Sequence, residues 1–457
     1  DVLGSRGLGD VYKRQALVVL FMIVMYGIPG VAASLALGVY TTLVISTVYL
    51  FEVTLTLPGI AGIILGIGMA VDANVIVFSR IREEIAAGKS VLTAMKIGFQ
   101  KALSAILDGN ITTFIAALVL IALGSGTVKG FAYTLMISII FSMFTALIVT
   151  RWILYAMYGI GIRNEKFYGK AKERKVINFI GKKGIFFTIS IVVIAAGFIG
   201  MGVHKAKDGN ALNYGLDFVG GTSTTADFGK DYTIEEIENE IVPSVAELIG
   251  DKNIQTNKVE GTTQITIKTR SLELEEREAL YTLLEEQFGV EESTITSQNI
   301  SSTISGEMRS DAFVAVLVSA VCMLIYIWFR FKDIRFGASA VLALLHDVLV
   351  VLTVYALSRL SVGSTFIACM LTIIGYSINA TIVIFDRVRE NLAKLPGKQT
   401  KEMLAEVANK SVTETLSRSI NTTITTVIMV FMLYVFGVTS IRAVSYTHLT
   451  LPTTSRV

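Results

Sequence analysis

The sequence predicts an all-α membrane fold. It is a duplicated bundle of about ten transmembrane helices in two sets of five, interrupted by an extracytoplasmic α+β ferredoxin-like insert. Three observations carry this expectation. Of 457 residues, 53% are hydrophobic and only 17% charged, against roughly 25% charged in an ordinary soluble domain. Apolar runs of membrane-spanning length recur along the chain. An internal repeat relates the two halves at a nearly fixed offset.

A bilayer core takes about 20 mostly apolar residues per helix. Such runs fall near 16–28, 30–50, 58–79, 109–124, 130–156, 184–203, 311–330, 336–357, 362–385 and 417–437. Basic residues cluster in alternate connections: Arg80, Arg82, Lys89, Lys96 and Lys101 in one, and Arg163 through Lys183 in the next. Arg330, Lys332 and Arg335 follow, then Arg387, Arg389, Lys394 and Lys398. All fall on one side of a ten-span topology, and the excess of Lys and Arg makes that side cytoplasmic. The 81–107 stretch is amphipathic and is expected on the inner surface. The RIREE and RVREN ends read as anchors at the membrane boundary.

Residues 204–308 are polar and carry 20 acidic against 8 basic residues, a formal charge of −12. An acidic domain opposite a basic rim fits an extracytoplasmic position. Strand-like runs at 214–228, 253–259, 263–269 and 293–300 alternate with helix-like runs at 233–249 and 273–288. Gly261-Thr262 marks a turn between the middle strands. The order β-α-β-β-α-β is ferredoxin-like.

Residues 1–15 and 444–457 break the pattern of their neighbours and read as foreign, adaptor-like tails. The natural chain is expected to continue past both. Between them the expected divisions are a first membrane region at 16–158, a basic linker at 159–183 and a helix at 184–203. The insert follows at 204–308 and a second membrane region at 309–443.

Several function classes are excluded. Gly88-Lys89-Ser90 mimics the end of a phosphate loop, but Glu83 stands where its leading glycine belongs. His204, His346 and His448 lack metal-ligand spacing. Cys322 and Cys369 lie inside apolar runs and predict no disulfide framework. The insert holds no catalytic constellation. The expectation is a protein that is not an enzyme, needs no cofactor and binds no nucleic acid. Any work it does draws on another subunit or on an ion gradient.

The repeat pairs GMAVDANVIVFSRIREE at 68–84 with GYSINATIVIFDRVREN at 375–391, an offset of 307. ITTF at 111–114 pairs with ITTV at 424–427, an offset of 313. Repeats of this kind belong to transporters whose halves rock about a pseudo-symmetry axis. Gly62 and Gly66 form a small-xxx-small pair for close helix packing.

Asp72 lies about 14 residues into its span. A carboxylate there costs at least roughly 2.5–3.5 kcal/mol unless it is protonated or paired. An acid switched between those conditions carries protons; an acid pinned in a hydrogen-bonded bundle does not. Arg418 opens a polar stripe (Ser419, Asn421, Thr422, Thr423, Thr425, Thr426) and either snorkels to headgroups or pairs with an inward acid. Asp347, beside His346, is a second mid-span acid. Asp108 reads as an N-terminal charge at the start of its helix. Asn74 and Asn379 either bond between helices or line a proton path.

These motifs resemble the SecDF protein-export family of the resistance-nodulation-division superfamily. TLPGIAGIILGIGMAVDANVIVFSRIREE, DGNITTFIAAL and GTVKGFAYTLMISIIFSMFTALIVTR are similar to the SecD membrane region. GLDFVGGT, LLHDVLV, GYSINATIVIFDRVREN and TLSRSINTTITT are similar to SecF. The resemblance covers about 16–443 and implies a multi-pass protein of the bacterial plasma membrane. It implies an accessory to the Sec translocon channel and its ATPase motor, acting on exported unfolded polypeptides with the proton gradient as energy source. It also implies a proton path through an acid at Asp72, an acid in the fourth SecF helix and the arginine at Arg418; Asp347, Asn74 and Asn379 join the candidate relay from the reading of the residues above. The family's second acid falls at position 380, which is Ala380 here. A related proton-driven lipid or drug exporter and a non-transporting scaffold remain as alternatives. The family's twelve spans and large outer SecD domain exceed what this chain contains.

Overall fold

The computed structural model describes residues 18–53, 57–124, 126–169, 175–233, 236–251, 254–258, 262–331, 334–395 and 400–436. The chain divides into two compact units. One comprises Asp1–Ala211, Ala315–Arg359 and Thr365–Val457; the other comprises Leu212–Val314 and Leu360–Ser364. Both terminal tails, His448 and Gly261 lie outside the described residues, and so does the side chain of Cys369. Cys322 is a free thiol.

The first unit is helical. Helix α1 covers 18–26 and ends at Gly27, whose φ of 63° is in the left-handed region. Pro29 then sits in the first turn of α2 (Ile28–Leu50), where its missing N–H costs nothing. There follow α3 (Leu57–Ala86), α4 (Val91–Leu123) and α5 (Gly126–Phe144). A π-turn at Thr145–Val149 leads into α6 (Thr150–Gly159). After the short α7 (Glu165–Tyr168) comes α8 (Lys183–Asp208). Then α12 (Ser302–Phe331), whose residues up to Val314 belong to the second unit, α13 (Ile334–Ser358), α14 (Ser364–Leu392) and α15 (Lys401–Phe436) complete the set.

Seven of the described helices are long and apolar enough to cross a membrane, by length and composition. The sequence predicts ten. The other three runs fall on 18–26, α14 and α15, which are helical but include undescribed residues or side chains.

One expectation is corrected. Asp108 does not start its helix. Helix α4 runs unbroken for 33 residues. No proline interrupts it, and its glycines are packed rather than loose: a Cβ at Gly98 would lie 3.0 Å from Ile81 N. Asp108 therefore sits in the helix interior, not at an N-terminus.

Small residues let the helices of this unit approach closely. A Cβ at Gly62 would lie 2.7 Å from Thr134 Oγ1 on α5, and one at Gly66 would lie 2.7 Å from Ser138 Oγ. Close packing of α3 on α5 is thus the role of this glycine pair.

The second unit is α+β. A short parallel pair joins β1 (Asn213–Tyr214) to β6 (Ser361–Val362). A four-stranded antiparallel sheet has the order β3-β4-β2-β5, with β2 at Gly221–Asp227 and β3 at Gln255–Lys258; β4 is Gln264–Thr269 and β5 Thr296–Ile300. The expected 214–228 strand is divided, because α9 (Leu216–Val219) intervenes before the positive-φ pair Gly220 and Gly221. Burial alternates along β4, with Ile265 and Ile267 inward, as a one-faced sheet requires. They meet Ile241 and Val245 from the 236–249 helical run, whose last part is α10 (Val242–Ile249). Leu280 and Leu284 of α11 (Leu274–Phe288) complete the core. A capping box of Glu273 and Glu276 starts α11, and Gly289 ends it with φ 67°.

Candidate functional site

The repeat becomes a contact. Asp72 on α3 and Asn379 on α14 occupy the same repeat position, 307 residues apart, and their side chains meet: Asn379 Nδ2 points at Asp72 Oδ2 from 3.5 Å. Asp72 is 8% exposed. Two small cavities flank this pair. One, of about 20 Å³, is lined by Asp72, Tyr376, Asn379, Ala380, Arg418 and Thr422 among others. The other, of about 10 Å³, adds Asn110 and Thr113 from α4. Each is large enough for about one water molecule. Arg418 therefore reaches the chamber that holds the predicted acid. Tyr376 is oriented by a 2.8 Å hydrogen bond with Thr426 Oγ1, so part of the polar stripe on α15 faces inward.

Packing holds this chamber. A Cβ at Gly375 would lie 2.7 Å from Thr113 Oγ1, and one at Gly109 would lie 3.0 Å from Asn379 Nδ2. Only glycine at these positions lets α4 and α14 cross at this separation.

Asn74, predicted beside Asp72, turns away from it. Its Nδ2 donates to Ala70 O of its own helix at 3.0 Å, which locks the amide along α3. Asp347 is buried in a separate chain of hydrogen bonds. Ser377 Oγ donates to Asp347 Oδ2 at 2.5 Å. His346 Nδ1 meets Asp347 Oδ1 at 3.0 Å, and His346 Nε2 meets Ser190 Oγ at 3.0 Å. With the carboxylate accepting from Nδ1–H, Nε2 accepts from the serine hydroxyl. The chain thus links α14, α13 and α8. Ser377 is two residues from Asn379, but no described hydrogen bond joins Asp347 to Asp72.

Sequence reasoning missed a second ionic centre. Asp108 is 5% exposed on α4. It receives Arg330 Nε at 2.7 Å and Tyr326 Oη at 2.8 Å, both from α12. The signal was present in two parts: no breaker lies between 91 and 108, and Tyr326 and Arg330 are four residues apart, on one face of a helix.

The basic ends of α3 and α14 also do more than anchor. Arg80 pairs with Glu390 at 3.4 Å and Arg387 with Glu83 at 3.1 Å. Arg80 and Arg387 share one repeat position, and Glu83 and Glu390 share another. The contact is reciprocal, as across a two-fold interface. Arg387 also reaches Glu414 on α15 at 2.8 Å. A cavity of about 730 Å³ opens beside these groups, lined by Arg80, Glu83, Arg387, Lys410, Arg418 and Asn421 among others. Among the described residues no group of three or more His, Cys, Asp or Glu is placed to hold a metal ion.

Fold and site together define a membrane protein of two repeated helical halves, with an acid and an arginine facing one small chamber between them. The chain belongs to the SecD/SecF protein-export membrane family. The model of that family, described as "Protein export membrane protein SecD/SecF, C-terminal", matches residues 11–159 and 281–451. The chain is 35% identical over 451 residues to the protein translocase subunit SecDF of Bacillus subtilis, covering 93% of this chain and 58% of that protein. It is similar to the crystal structure of SecDF, a translocon-associated membrane protein from Thermus thermophilus, with TM-score 0.86 and 31% identity. That match covers 99% of this chain and 60% of the other. A structure of SecDF in a super-membrane-facing form matches with TM-score 0.74. The chain spans about three fifths of the length of these relatives.

Proposed function

We propose that this chain is the membrane core of an accessory subunit of the Sec protein translocase that uses the proton-motive force to promote translocation across the bacterial plasma membrane. The observation that supports this most is the meeting of Asp72 and Asn379 at equivalent repeat positions, beside a chamber also lined by Arg418. A charge buried at such a seam favours one arrangement of the halves, and the neutral acid favours another. Proton entry is worth about 2.3 kcal/mol per charge per 100 mV, more than a tenfold population bias. No second acid stands at Ala380, so the relay rests on Asp72, with Arg418 as counter-charge and cavity water as carrier.

In this reading ten helices span the bilayer, and the basic ends of α3 and α14 face the cytoplasm. The acidic insert is a ferredoxin-like module outside, where it meets unfolded polypeptide leaving the channel. Its sheet order β3-β4-β2-β5 and antiparallel pairing suit that fold. The partners are the Sec channel and its ATPase motor; no cofactor and no catalytic step is involved.

The test is proton flux into liposomes holding the purified chain, driven by an imposed gradient and read with an entrapped pH dye. Wild-type chain conducts and Asp72→Asn falls to the protein-free level. Equal flux from the two proteins rejects the relay.

A further inference from the structure

The 730 Å³ cavity beside the Arg–Glu contacts of α3 and α14 has an unbalanced lining. Its described cations are Arg80, Arg82, Arg387, Lys410 and Arg418; its described acids are Glu83 and Glu414 alone. Both acids are already engaged. Glu83 pairs with Arg80 at 3.0 Å and with Arg387 at 3.1 Å, and Glu414 pairs with Arg387 at 2.8 Å. The lining therefore presents an excess of positive charge to whatever fills the cavity.

Arg82 of α3 is held ready for an anion. Its Nη2 donates to Met25 O at 2.7 Å and its Nε to Tyr168 O at 3.3 Å, and its guanidinium lies 4.7 Å from the centroid of the Tyr26 ring. Carbonyls and a ring orient a cation without neutralising it. A guanidinium fixed in this way loses little further freedom on meeting a ligand. Tyr26 also lines the cavity. Its Oη accepts from Asn421 Nδ2 at 2.9 Å and keeps its own proton to donate. Lys410 of α15 is exposed and makes no hydrogen bond or ion pair among the described residues.

Size and rim narrow the ligand. About 730 Å³ falls within the range of sites for small organic molecules and exceeds what a lone phosphate ion fills. Three of the lining residues, Ala86, Ala87 and Val176, are apolar and exposed, Val176 to 56%. Cationic walls with apolar surface at the edge suit an anion that carries hydrocarbon. Basic pockets between membrane helices on the cytoplasmic side take up acidic lipid headgroups.

We propose that this cavity binds the phosphate-ester headgroup of an acidic phospholipid, with Arg82 and Lys410 as its cationic contacts and the acyl chains leaving past Val176. The headgroup bridges α3 and α15, one helix from each half. Arg418 lines this cavity and also the small chamber of Asp72, so the lipid and the acid draw on one guanidinium. The choice of the inner leaflet rests on the topology of the reading above; the binding does not.

The test is native mass spectrometry of the purified chain in neutral detergent, counting bound lipid as phosphatidylglycerol is added. Phosphatidylcholine with the same acyl chains and glycerol 3-phosphate are run in parallel. One phosphatidylglycerol is expected to bind ahead of weaker, non-saturating adducts, and phosphatidylcholine to give the weak adducts alone. Lys410→Gln should weaken the first step roughly fivefold, the worth of one basic residue at an anionic surface. The exposed Lys410 side chain makes this variant safe for the fold. Arg82→Gln, checked for an unchanged melting temperature, should weaken it at least as much. Lys175→Gln with Lys182→Gln removes exposed basic residues of the linker that do not line the cavity, and should leave the first step unaltered. Equal uptake of the two lipids, or the same loss from the linker variant as from Lys410→Gln, overturns the site. Glycerol 3-phosphate binding as tightly as phosphatidylglycerol overturns the lipid as occupant. No proton movement enters the readout, so failure here leaves the Asp72 relay standing, and a failed flux assay leaves the lipid result standing.

Discussion

Replacing Gly375 with alanine tests whether the α4–α14 crossing is set by the absence of a side chain. The new Cβ would sit 2.7 Å from Thr113 Oγ1 and 3.2 Å from the Cα and Cβ of Thr113. The hydroxyl cannot simply swing aside, because it already donates to Gly109 O at 3.2 Å and Thr113 is 3% exposed. Restoring ordinary contact needs a shift of about 0.7 Å, a displacement that forfeits a quarter to a half of each dispersion well it opens. Overpacking of this kind costs about 1–3 kcal/mol. Alanine in place of a helical glycine returns roughly 0.5–1 kcal/mol. Gly38→Ala is the control, since a Cβ there meets nothing within 4 Å, and it keeps only the gain. The two variants should therefore differ by about 1–3 kcal/mol in unfolding free energy, measured by denaturant titration in mixed micelles. Adding Thr113→Ala removes the nearest clash and should recover part of the loss. If Gly375→Ala proves as stable as Gly38→Ala, the crossing is not held by that close approach.

Three further outcomes follow from named contacts. Arg80→Gln and Glu390→Gln each remove one side of the cross-repeat pair without reversing charge beside Glu83 or Arg387; a double-mutant cycle should return a coupling of about 0.5–3 kcal/mol. Asp347→Leu leaves Ser377 and His346 without their acceptor and should destabilise by about 1–3 kcal/mol per stranded group, whereas Asp347→Asn retains an acceptor and should lose less; the same micelle titration reads both. In the insert, hydrogen bonding from Arg270, aided by the Glu273 backbone N–H, pulls the Glu276 carboxyl from 4.5 down to about 2. A carboxyl depressed on folding adds stability above its unfolded value, and that stability is lost as pH falls from 4.5 through about 2. Amide exchange of α11 should quicken across that window, and Glu276→Gln should flatten the dependence.

The apolar runs, the insert's succession of strands and helices, and the repeat all lie in local pattern, so the sequence shows them. A residue's repeat partner is also legible: Asp72 and Asn379 align at one offset before any coordinate is known. Helix starts are harder to read, because a polar residue at a membrane boundary and one in a buried bend have the same local signature. That ambiguity put Asp108 at the start of a helix instead of seventeen residues inside it. Arg330 read as a loop charge for the same reason, although it reaches inward to an acid 222 residues away.

The sequence by itself determined that this chain is a duplicated membrane bundle with one acid at Asp72 and none at position 380, because hydropathy and repetition are properties of neighbours along a chain. Only the tertiary structure decided which charges face each other: that Asp72 meets its own repeat counterpart, that Asn74 turns back on its helix, and that Asp108 is clasped by Arg330. Those pairings depend on how closely helices cross, and that distance is fixed by small residues such as Gly375 and Gly109 on one helix meeting side chains on another, a match no local pattern contains.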